Sequence, residues 1–266
     1  MKIPFYQIDA FTERAFGGNP AGVCPLESWL PDETMQSIAL ENNLSETAFF
    51  VRRGEEFDLR WFTPTVEVNL CGHATLASGF VLYRFLGYTQ ASIRFQTKSG
   101  LLTVEREGDL LAMNFPAWPP QACDAPRELL EGLGKEPREV LRTRDYVAVY
   151  DSESDIRALA PEMELLKGLD ALGIIATAPG DEVDFVSRFF APGAGIPEDP
   201  VTGSAHCSLT PLWAERLSKT RLRARQLSPR GGEIFCEHLG DRVKVAGRAV
   251  PFLTGEISLN SMTSDK

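Results

Sequence analysis

The sequence has few of the residues that build metal centres and disulfide frameworks. Its 266 residues include three histidines and five cysteines. The cysteines are Cys24, Cys71, Cys123, Cys207 and Cys236. Since they are odd in number, scattered and without a CxxC pair, we expect reduced thiols in a cytoplasmic protein. No histidine has ligand-like spacing, so the sequence predicts neither a disulfide scaffold nor a metal site.

Long apolar runs and an excess of positive charge are also missing. No apolar run approaches the roughly 18 residues of a membrane span. Gln7 and Asp9 interrupt the N-terminal stretch in which the apolar core of a signal peptide would lie. The formal net charge is -10. Proteins that bind nucleic acid or anionic membranes normally carry a basic patch, so both partners are excluded, whereas a local site for a small anion is not.

The chain does contain short strand patterns, an acidic helical segment near 151–167 and three further helical patterns. Residues 31–43 have the apolar spacing and terminal residues of a helix. Residues 73–86, HATLASGFVLYRFL, are apolar nearly all round, which is typical of a helix buried on every side. In a chain rich in strands, such a helix fits inside a sheet that wraps around it. Pro211 interrupts the third pattern, SAHCSLTPLWAERL, and is expected to kink that helix or end its first turns.

A proline-containing segment divides the chain into two halves. The segment AWPPQACDAPR, at 117–127, indicates a linker. We therefore expect a first half at 1–117 and a second half at 118–251. A last strand, at about 252–262, is a candidate to return to the first half, and the final residues from 260 are expected to form a frayed tail.

The two halves carry similar motifs. Residues 61–74, WFTPTVEVNLCGHA, and residues 189–205, FFAPGAGIPEDPVTGSA, each contain an aromatic pair, one further residue and proline. Each continues with Glu-x-x-x-(Cys or Thr)-Gly-(His or Ser)-Ala, from Glu67 and from Glu198. The ordered match predicts a duplicated fold in which each copy leads from a strand into a helix.

The glycines of this motif, Gly72 and Gly203, indicate an anion site. Glycine lets the backbone turn tightly and approach a ligand closely. The helix that follows directs unpaired N–H groups and its positive dipole end outward. Two such turns, one from each half, are predicted to face each other across a cleft. The neighbouring His73 and Ser204 are candidates to donate hydrogen bonds to substrate oxygens, with a helix-cap or packing role as the alternative for each.

Four segments, in order, resemble the PhzF family of phenazine-biosynthesis-like isomerases, which share the diaminopimelate epimerase fold. The segments are GNPAGV at 18–23, LSETAFF at 44–50, FTPTVEVNLCGHATLA at 62–77 and EDPVTGSAHCSL at 198–209. The resemblance implies an α+β fold of two similar halves, each a mostly antiparallel sheet rolled into a barrel around a central helix, with the active site between them. It also implies a homodimer and neither an organic cofactor nor a metal.

The resemblance assigns the acid/base role to the glutamate of the SET motif, Glu46. This residue precedes the apolar strand TAFFV, where partial burial would raise the pKa of a carboxyl group. The implied enzyme is an isomerase that moves a proton between carbons of a small carboxylated substrate, and a dihydroxy-anthranilate-like compound is the family's best-known case. Asp199 is the second candidate acid/base or substrate-orienting group, with a dipole-stabilised acid as the alternative. Asn19 is a candidate either to contact substrate or to shape its loop.

Two alternatives to this isomerase stay open. Diaminopimelate epimerases use two cysteines as opposed acid and base. Here Cys71 occupies the first place but Thr202 the second, and a hydroxyl is far too weak an acid to replace a thiol. A thiol-dependent racemase or epimerase would therefore rely on Cys71, with its pKa lowered by the helix N-terminus. The other alternative is a protein that binds a small anion without catalysis.

Overall fold

The structure, a computed structural model, describes residues 1–259, and the chain divides into two compact units. The first unit comprises residues 1–16, 20–113 and the described residues from 248 onward. The second unit comprises residues 17–19 and 114–247. The predicted tail and the end of the predicted last strand, at 260–266, lie outside the described residues.

Strands make up most of the regular structure. They are β1 (Lys2–Ala10), β2 (Asn19–Leu26), β3 (Glu46–Arg53), β4 (Glu56–Phe62), β5 (Glu67–Val68), β6 (Ser92–Thr97), β7 (Gly100–Glu107), β8 (Leu110–Pro116), β9 (Gln121–Ala122), β10 (Glu139–Arg142), β11 (Tyr146–Val149), β12 (Ile174–Pro179), β13 (Phe185–Ala191), β14 (Ile196–Asp199), β15 (Arg221–Gln226), β16 (Gly232–His238), β17 (Arg242–Gly247) and β18 (Ala249–Ser258). The helices are α1 (Asp32–Asn42), α2 (Gly72–Arg84), α3 (Arg127–Leu133), α4 (Glu153–Ala158), α5 (Met163–Lys167) and α6 (His206–Leu217). The α+β class predicted from the sequence is confirmed.

The two units repeat one pattern of strand pairing. In the first unit β2–β3 and β4–β6 are parallel, while β3–β4, β4–β5, β6–β7 and β7–β8 are antiparallel. In the second unit β11–β12 and β13–β15 are parallel, while β12–β13, β13–β14, β15–β16 and β16–β17 are antiparallel. Parallel neighbours need a crossover connection, and α2 and α6 lie in corresponding crossovers. The repeat read from the sequence is therefore also a repeat of structure.

Helix α2 is the helix expected from the apolar residues 73–86. All of its residues from His73 to Gly79 are buried, and it packs on β1, β3, β7 and β18. Phe80 is partly exposed and Arg84 fully so, which limits burial on every side to the N-terminal half. No helix in the described part of the chain combines the length and the apolar character needed to cross a membrane.

The sheet of the first unit is open, which corrects the closed barrel implied by the family resemblance. Its pairings run from β18 through β1, β2, β3, β4, β6 and β7 to β8. Among residues 1–259 no pairing joins β8 to β18. The reason lies in β18, whose residues from Pro251 to Glu256 are exposed. Proline has no backbone N–H to donate in strand pairing and is typical of strands that end a sheet.

Helix α6 does not end at Pro211, contrary to one of the two outcomes expected for it. The helix continues from His206 to Leu217. Proline has no N–H to donate to the carbonyl four residues earlier, which belongs to Cys207. The backbone N–H of Trp118 donates to this carbonyl instead, at 2.9 Å. The Cys207 carbonyl therefore still has a hydrogen-bond partner, and the helix can accommodate Pro211.

Candidate active site

Glu46 is the first residue of β3, and the local sequence explains why the strand begins there. Asn43 ends α1 in the left-handed conformation, and its N–H donates to a carbonyl of the last helical turn at 3.2 Å. The apolar face of α1 packs in the same core cluster as Phe49 of β3. Helix and strand are thus held together across a short turn, and the Glu46 side chain is only 12% exposed.

His73 and Cys71 lie at the start of α2 and contact Glu46. Cys71 immediately precedes the helix, and His73 is its second residue. Oε2 of Glu46 lies 3.1 Å from Nε2 of His73. Sγ of Cys71 lies 3.5 Å from Nδ1 and 4.0 Å from Nε2 of the same ring. The first unit therefore brings together the predicted acid/base, one predicted hydrogen-bond donor and the thiol of the alternative mechanism.

The Oε2 atom of Glu46 is buried and accepts no hydrogen bond from the described residues. It lies 3.1 Å from Nε2 of His73, which is the distance of an ion pair. Buried carboxylate oxygens are normally satisfied by donors, because an unsatisfied one costs free energy of folding. An oxygen that the fold leaves open in this way is available to a proton or to a ligand.

The imidazole of His73 and the thiol of Cys71 both have raised pKa values. Burial alone would lower the pKa of His73, but the contacts with Cys71 and Glu46 outweigh burial and hold that pKa well above its ordinary value. Burial, together with the charge of Glu46, raises the pKa of the Cys71 thiol to about 11. The lowered pKa expected of Cys71 is therefore wrong, because desolvation at this helix start outweighs the helix dipole.

Asp199 is held in a hydrogen-bond network of the second unit. It is the last residue of β14. Its Oδ1 accepts a hydrogen bond from the amide of Asn19 at 2.8 Å, and its Oδ2 accepts one from the hydroxyl of Thr202. The Asn19 amide also donates to the Val201 carbonyl at 2.9 Å. Asn19 is fully buried, and its amide joins its own loop to the segment that follows β14.

Gln226 completes this network and was missed by the sequence analysis. Its side-chain oxygen accepts a hydrogen bond from the Thr202 N–H at 2.9 Å. Its amide nitrogen donates to the Asp199 carbonyl at 2.8 Å and to the Thr202 hydroxyl at 3.2 Å. Gln226 is fully buried at the end of β15. No motif could indicate it, because its partners lie 24 and 27 positions away in the chain.

The two glycine turns differ in how they enter their helices. Gly72 is itself the first residue of α2, one position earlier than expected. Gly203 and Ser204 instead form a turn, and α6 begins only at His206. The His206 N–H donates to the Gly203 carbonyl at 3.1 Å, an i to i+3 bond that tightens this segment before the regular helix. Ser204 is therefore not a helix cap.

Arg144 lies beside the second glycine turn and was also missed by the sequence analysis. It donates a hydrogen bond to the Ser204 hydroxyl at 3.2 Å. Its guanidinium pairs with Asp145 at 2.9 Å and lies 5.1 Å from the ring centroid of Trp118. The turn thus has a guanidinium beside its hydroxyl, a group that can bind an anion although Asp145 already offsets part of its charge. A single arginine in a basic segment, RTRD, carries no signal of this contact.

Glu46, Cys71 and His73 form a cluster of three side chains of types that can bind a metal ion. One donor atom from each side chain lies within 4.8 Å of the other two. Oxygen, sulfur and nitrogen donors of these types are the ones that zinc accepts in proteins. The spacing rule missed the group because Glu46 comes from a different element than the other two residues.

Comparison with known proteins gives matches along nearly the whole chain. A family model, that of the phenazine biosynthesis-like proteins (PhzC-PhzF), matches residues 8–255. An uncharacterized isomerase of Pseudomonas aeruginosa is 53% identical over 259 residues, which cover 97% of this chain and 100% of that protein. The crystal structure of a phenazine biosynthesis protein of the PhzF family from Enterococcus faecalis is 46% identical, with a TM-score of 0.96, and the match covers 97% of this chain and 100% of that one.

A more distant match concerns the fold alone. The crystal structure of a probable proline racemase from Agrobacterium radiobacter K84 shares 10% identity with this chain at a TM-score of 0.66. The match covers 98% of this chain and 94% of that chain. At such low identity the backbone architecture is shared, while the chemistry of the two sites has to be argued separately.

Proposed function

Since the chain belongs to the PhzC-PhzF family of phenazine biosynthesis-like proteins and is an isomerase, we propose that it moves a proton between two carbons of a small carboxylated substrate, with Glu46 as both acid and base. The isomerase class follows from relatives 46–53% identical to the chain. The identity of the proton carrier and the class of substrate are the parts that the proposal adds.

The proposal rests on the environment of the Oε2 atom of Glu46. A general base needs a lone pair that is not already engaged and a position shielded from water. Oε2 is buried and accepts no hydrogen bond among residues 1–259, which meets both conditions. The neighbouring thiol does not meet them, because the raised pKa of Cys71, about 11, keeps its proton in place at neutral pH.

In the proposed reaction one proton leaves one carbon and returns to another, so atoms and electrons balance. The Glu46 carboxylate removes a proton from a substrate carbon, and the electron pair of the broken C–H bond is delocalised into the adjacent unsaturated system. The same carboxyl group then returns its proton to a second carbon of that system. One C–H bond breaks, another forms and a double bond moves, so that the step requires no oxidant or reductant.

His73 is proposed to orient the carboxylate and to balance charge. Its imidazolium, 3.1 Å from Oε2 of Glu46, offsets the negative charge that passes between the carboxylate and the deprotonated substrate. The backbone N–H groups at Gly72, at the start of α2, are proposed to donate to a substrate oxygen, as helix N-termini do.

The second unit is proposed to bind and orient a carboxylate of the substrate. Gly203 and Ser204 form the turn that Arg144 supplies with positive charge, and Asp199 is proposed as the orienting acid. The convergence of the two glycine turns on one cleft, and the homodimer that the family resemblance implies, stay predictions of the sequence.

The test is Glu46→Gln, which keeps the shape of the side chain but removes the base. Small unsaturated carboxylates, beginning with a dihydroxy-anthranilate-like compound, are incubated with the protein in D₂O, and deuterium at carbon is followed by NMR. We expect wild-type protein to exchange and isomerise a member of this panel, and Glu46→Gln to lose at least about 10²–10⁴-fold of that rate. Glu33→Gln, at an exposed acid in the first turn of α1, is the matched control and should retain the rate.

The same experiment separates the two alternatives. If the protein only binds anions, ligand binding persists in wild type and variant without exchange at carbon. If a thiol carries the proton, Cys71→Ala abolishes exchange and Glu46→Gln does not. Ligand affinity measured by calorimetry on each variant shows whether a lost rate reflects lost chemistry or lost binding.

A further inference from the structure

The start of β3 and the start of α2 bring together more functional side chains than a proton shift needs. The proposed isomerisation uses the carboxylate of Glu46 and the imidazole of His73. Cys71 has no part in it, yet its sulfur lies 3.5 Å from Nδ1 and 4.0 Å from Nε2 of His73. A third donor of different chemical type is therefore present beside the two that the reaction uses.

The three donor atoms lie close together, at distances on either side of those between the ligands of a tetrahedral metal ion. Bonds of about 2.0–2.3 Å at tetrahedral angles separate neighbouring ligand atoms by about 3.3–3.6 Å. Oε2 of Glu46 lies 3.1 Å from Nε2 of His73, and Sγ of Cys71 lies 4.0 Å from the same nitrogen. All three atoms lie within 4.8 Å of one another.

Burial and the open carboxylate oxygen also favour a cation here. Cys71 and His73 are 6% and 5% exposed, and Glu46 is 9% exposed. Oε2 of Glu46 is buried without a hydrogen bond from the described residues. A buried carboxylate oxygen also gains when a cation coordinates it. Because one ligand is sulfur, the set suits zinc rather than magnesium or calcium, which prefer oxygen alone.

We propose that Glu46, Cys71 and His73 bind a zinc ion, with water as the fourth ligand, and that the bound ion withdraws Glu46 from proton transfer. Binding replaces the thiol proton of Cys71 and any proton on the liganding nitrogen of His73, and these protons pass to solvent. The binding stands on the donor geometry alone. The inhibition rests on the proposed function of Glu46.

Cobalt(II) provides a readout of binding that does not depend on activity. Co²⁺ replaces Zn²⁺ in such sites, and a thiolate ligand gives it a near-ultraviolet charge-transfer band. We expect this band when the metal-free protein is titrated with Co²⁺, and we expect added Zn²⁺ to remove it. No band at about a hundredfold excess of Co²⁺, with the protein folded by circular dichroism, would overturn the proposal.

Two cysteine variants decide which sulfur binds. Cys71→Ser should lose the charge-transfer band and weaken Zn²⁺ binding at least about a hundredfold, since loss of an outer partner alone costs 10–100-fold. Cys123→Ser is the matched control, because Cys123 is the one cysteine of the described chain that is only partly buried and so a candidate for adventitious metal binding. It should retain the band. A band that survives Cys71→Ser, or that is lost in Cys123→Ser, contradicts the assignment.

Carbon exchange in D₂O tests the inhibition separately. Zn²⁺ should suppress exchange in wild-type protein, and Cys71→Ser should be resistant to the same Zn²⁺ concentration. If Glu46 is not the base, the cobalt band still reports on the cluster, whereas wild type and Glu46→Gln exchange at the same rate. Metal binding with unchanged exchange would contradict the inhibition and leave the binding established.

Discussion

His206 shows how the interior of the second unit sets the charge of one residue. Its Nδ1–H donates to the Thr202 carbonyl at 2.8 Å, and its ring lies 5.8 Å from that of Phe185. The residue is fully buried, and its Nε2 makes no hydrogen bond with the described residues. Burial lowers the pKa of His206 to about 4. At neutral pH His206 is therefore an uncharged core residue, although it follows the second glycine turn in sequence.

We predict that this histidine makes the folded protein sensitive to mild acid. In the unfolded chain a histidine binds its proton near the ordinary value of 6.5, but in the folded chain only near 4. The unfolded state therefore binds more protons between these values. The stability that depends on a neutral His206 is fully present above pH 6.5 and is lost as pH falls to about 4. The loss is about 3 kcal/mol of unfolding free energy.

Urea unfolding of wild type and His206→Asn across this pH range measures the effect. The asparagine can donate in place of Nδ1 but does not titrate. Protonation of carboxylates also lowers stability over the same pH range. The difference between the two proteins in the slope of unfolding free energy against pH therefore isolates the effect of the histidine. Equal slopes would contradict the prediction.

At the scale of elements, α2 depends on close contact with β7 at Gly79. A Cβ atom at this position would lie 2.7 Å from Cγ1 and 3.2 Å from Cβ of Val104. Glycine in a helix interior normally costs about 0.5–1 kcal/mol relative to alanine. Here the missing side chain allows the helix to approach the strand, and the contact outweighs the helix propensity.

We therefore predict that Gly79→Ala destabilises the protein by about 1–2 kcal/mol, because overpacking outweighs the gain in propensity. In a Val104→Ala background the same substitution should instead stabilise the protein, since the new methyl group enters the space that valine vacates. Unfolding free energies of the four proteins form a double-mutant cycle. If Gly79→Ala destabilises both backgrounds equally, the contact with Val104 is not the cause.

At the scale of the whole molecule, the two ends of the described chain meet in the first unit. β18 pairs antiparallel with β1 from Lys2 with Ser258 to Ala10 with Ala249. The chain therefore enters the second unit after the first unit is nearly complete, and returns to add its last strand. This connection makes the first unit dependent on residues that follow the second unit in the chain.

We predict that a chain ending at Gly247 does not form a stable first unit, because β1 loses its ladder to β18. A chain ending at Leu259 keeps every pairing of β18 and is the matched control. Near-ultraviolet circular dichroism and urea unfolding compare the two proteins. Adding a peptide of residues 248–259 to the shorter chain should restore part of the lost signal. Equal stability of both chains would contradict the prediction.

The sequence by itself determined the local elements and the repeat, since both depend on short-range patterns. The apolar run at 73–86 predicts a buried helix whatever surrounds it, and α2 is that helix. Asn43 predicts the end of α1 because its left-handed conformation is a property of the residue and its neighbours. Matching motifs in the two halves predict matching strand–helix crossovers, and the pairings of the two units agree.

Only the tertiary structure decided which side chains meet and which charges they carry. The contact of Glu46 with His73 joins two elements far apart in the chain, and Gln226 reaches Thr202 from another strand. The neutral thiol of Cys71 follows from burial outweighing a helix dipole, and the open sheet follows from the exposed edge at β18. Desolvation and ladder closure depend on everything that packs around a residue, and a local pattern carries no information about that environment.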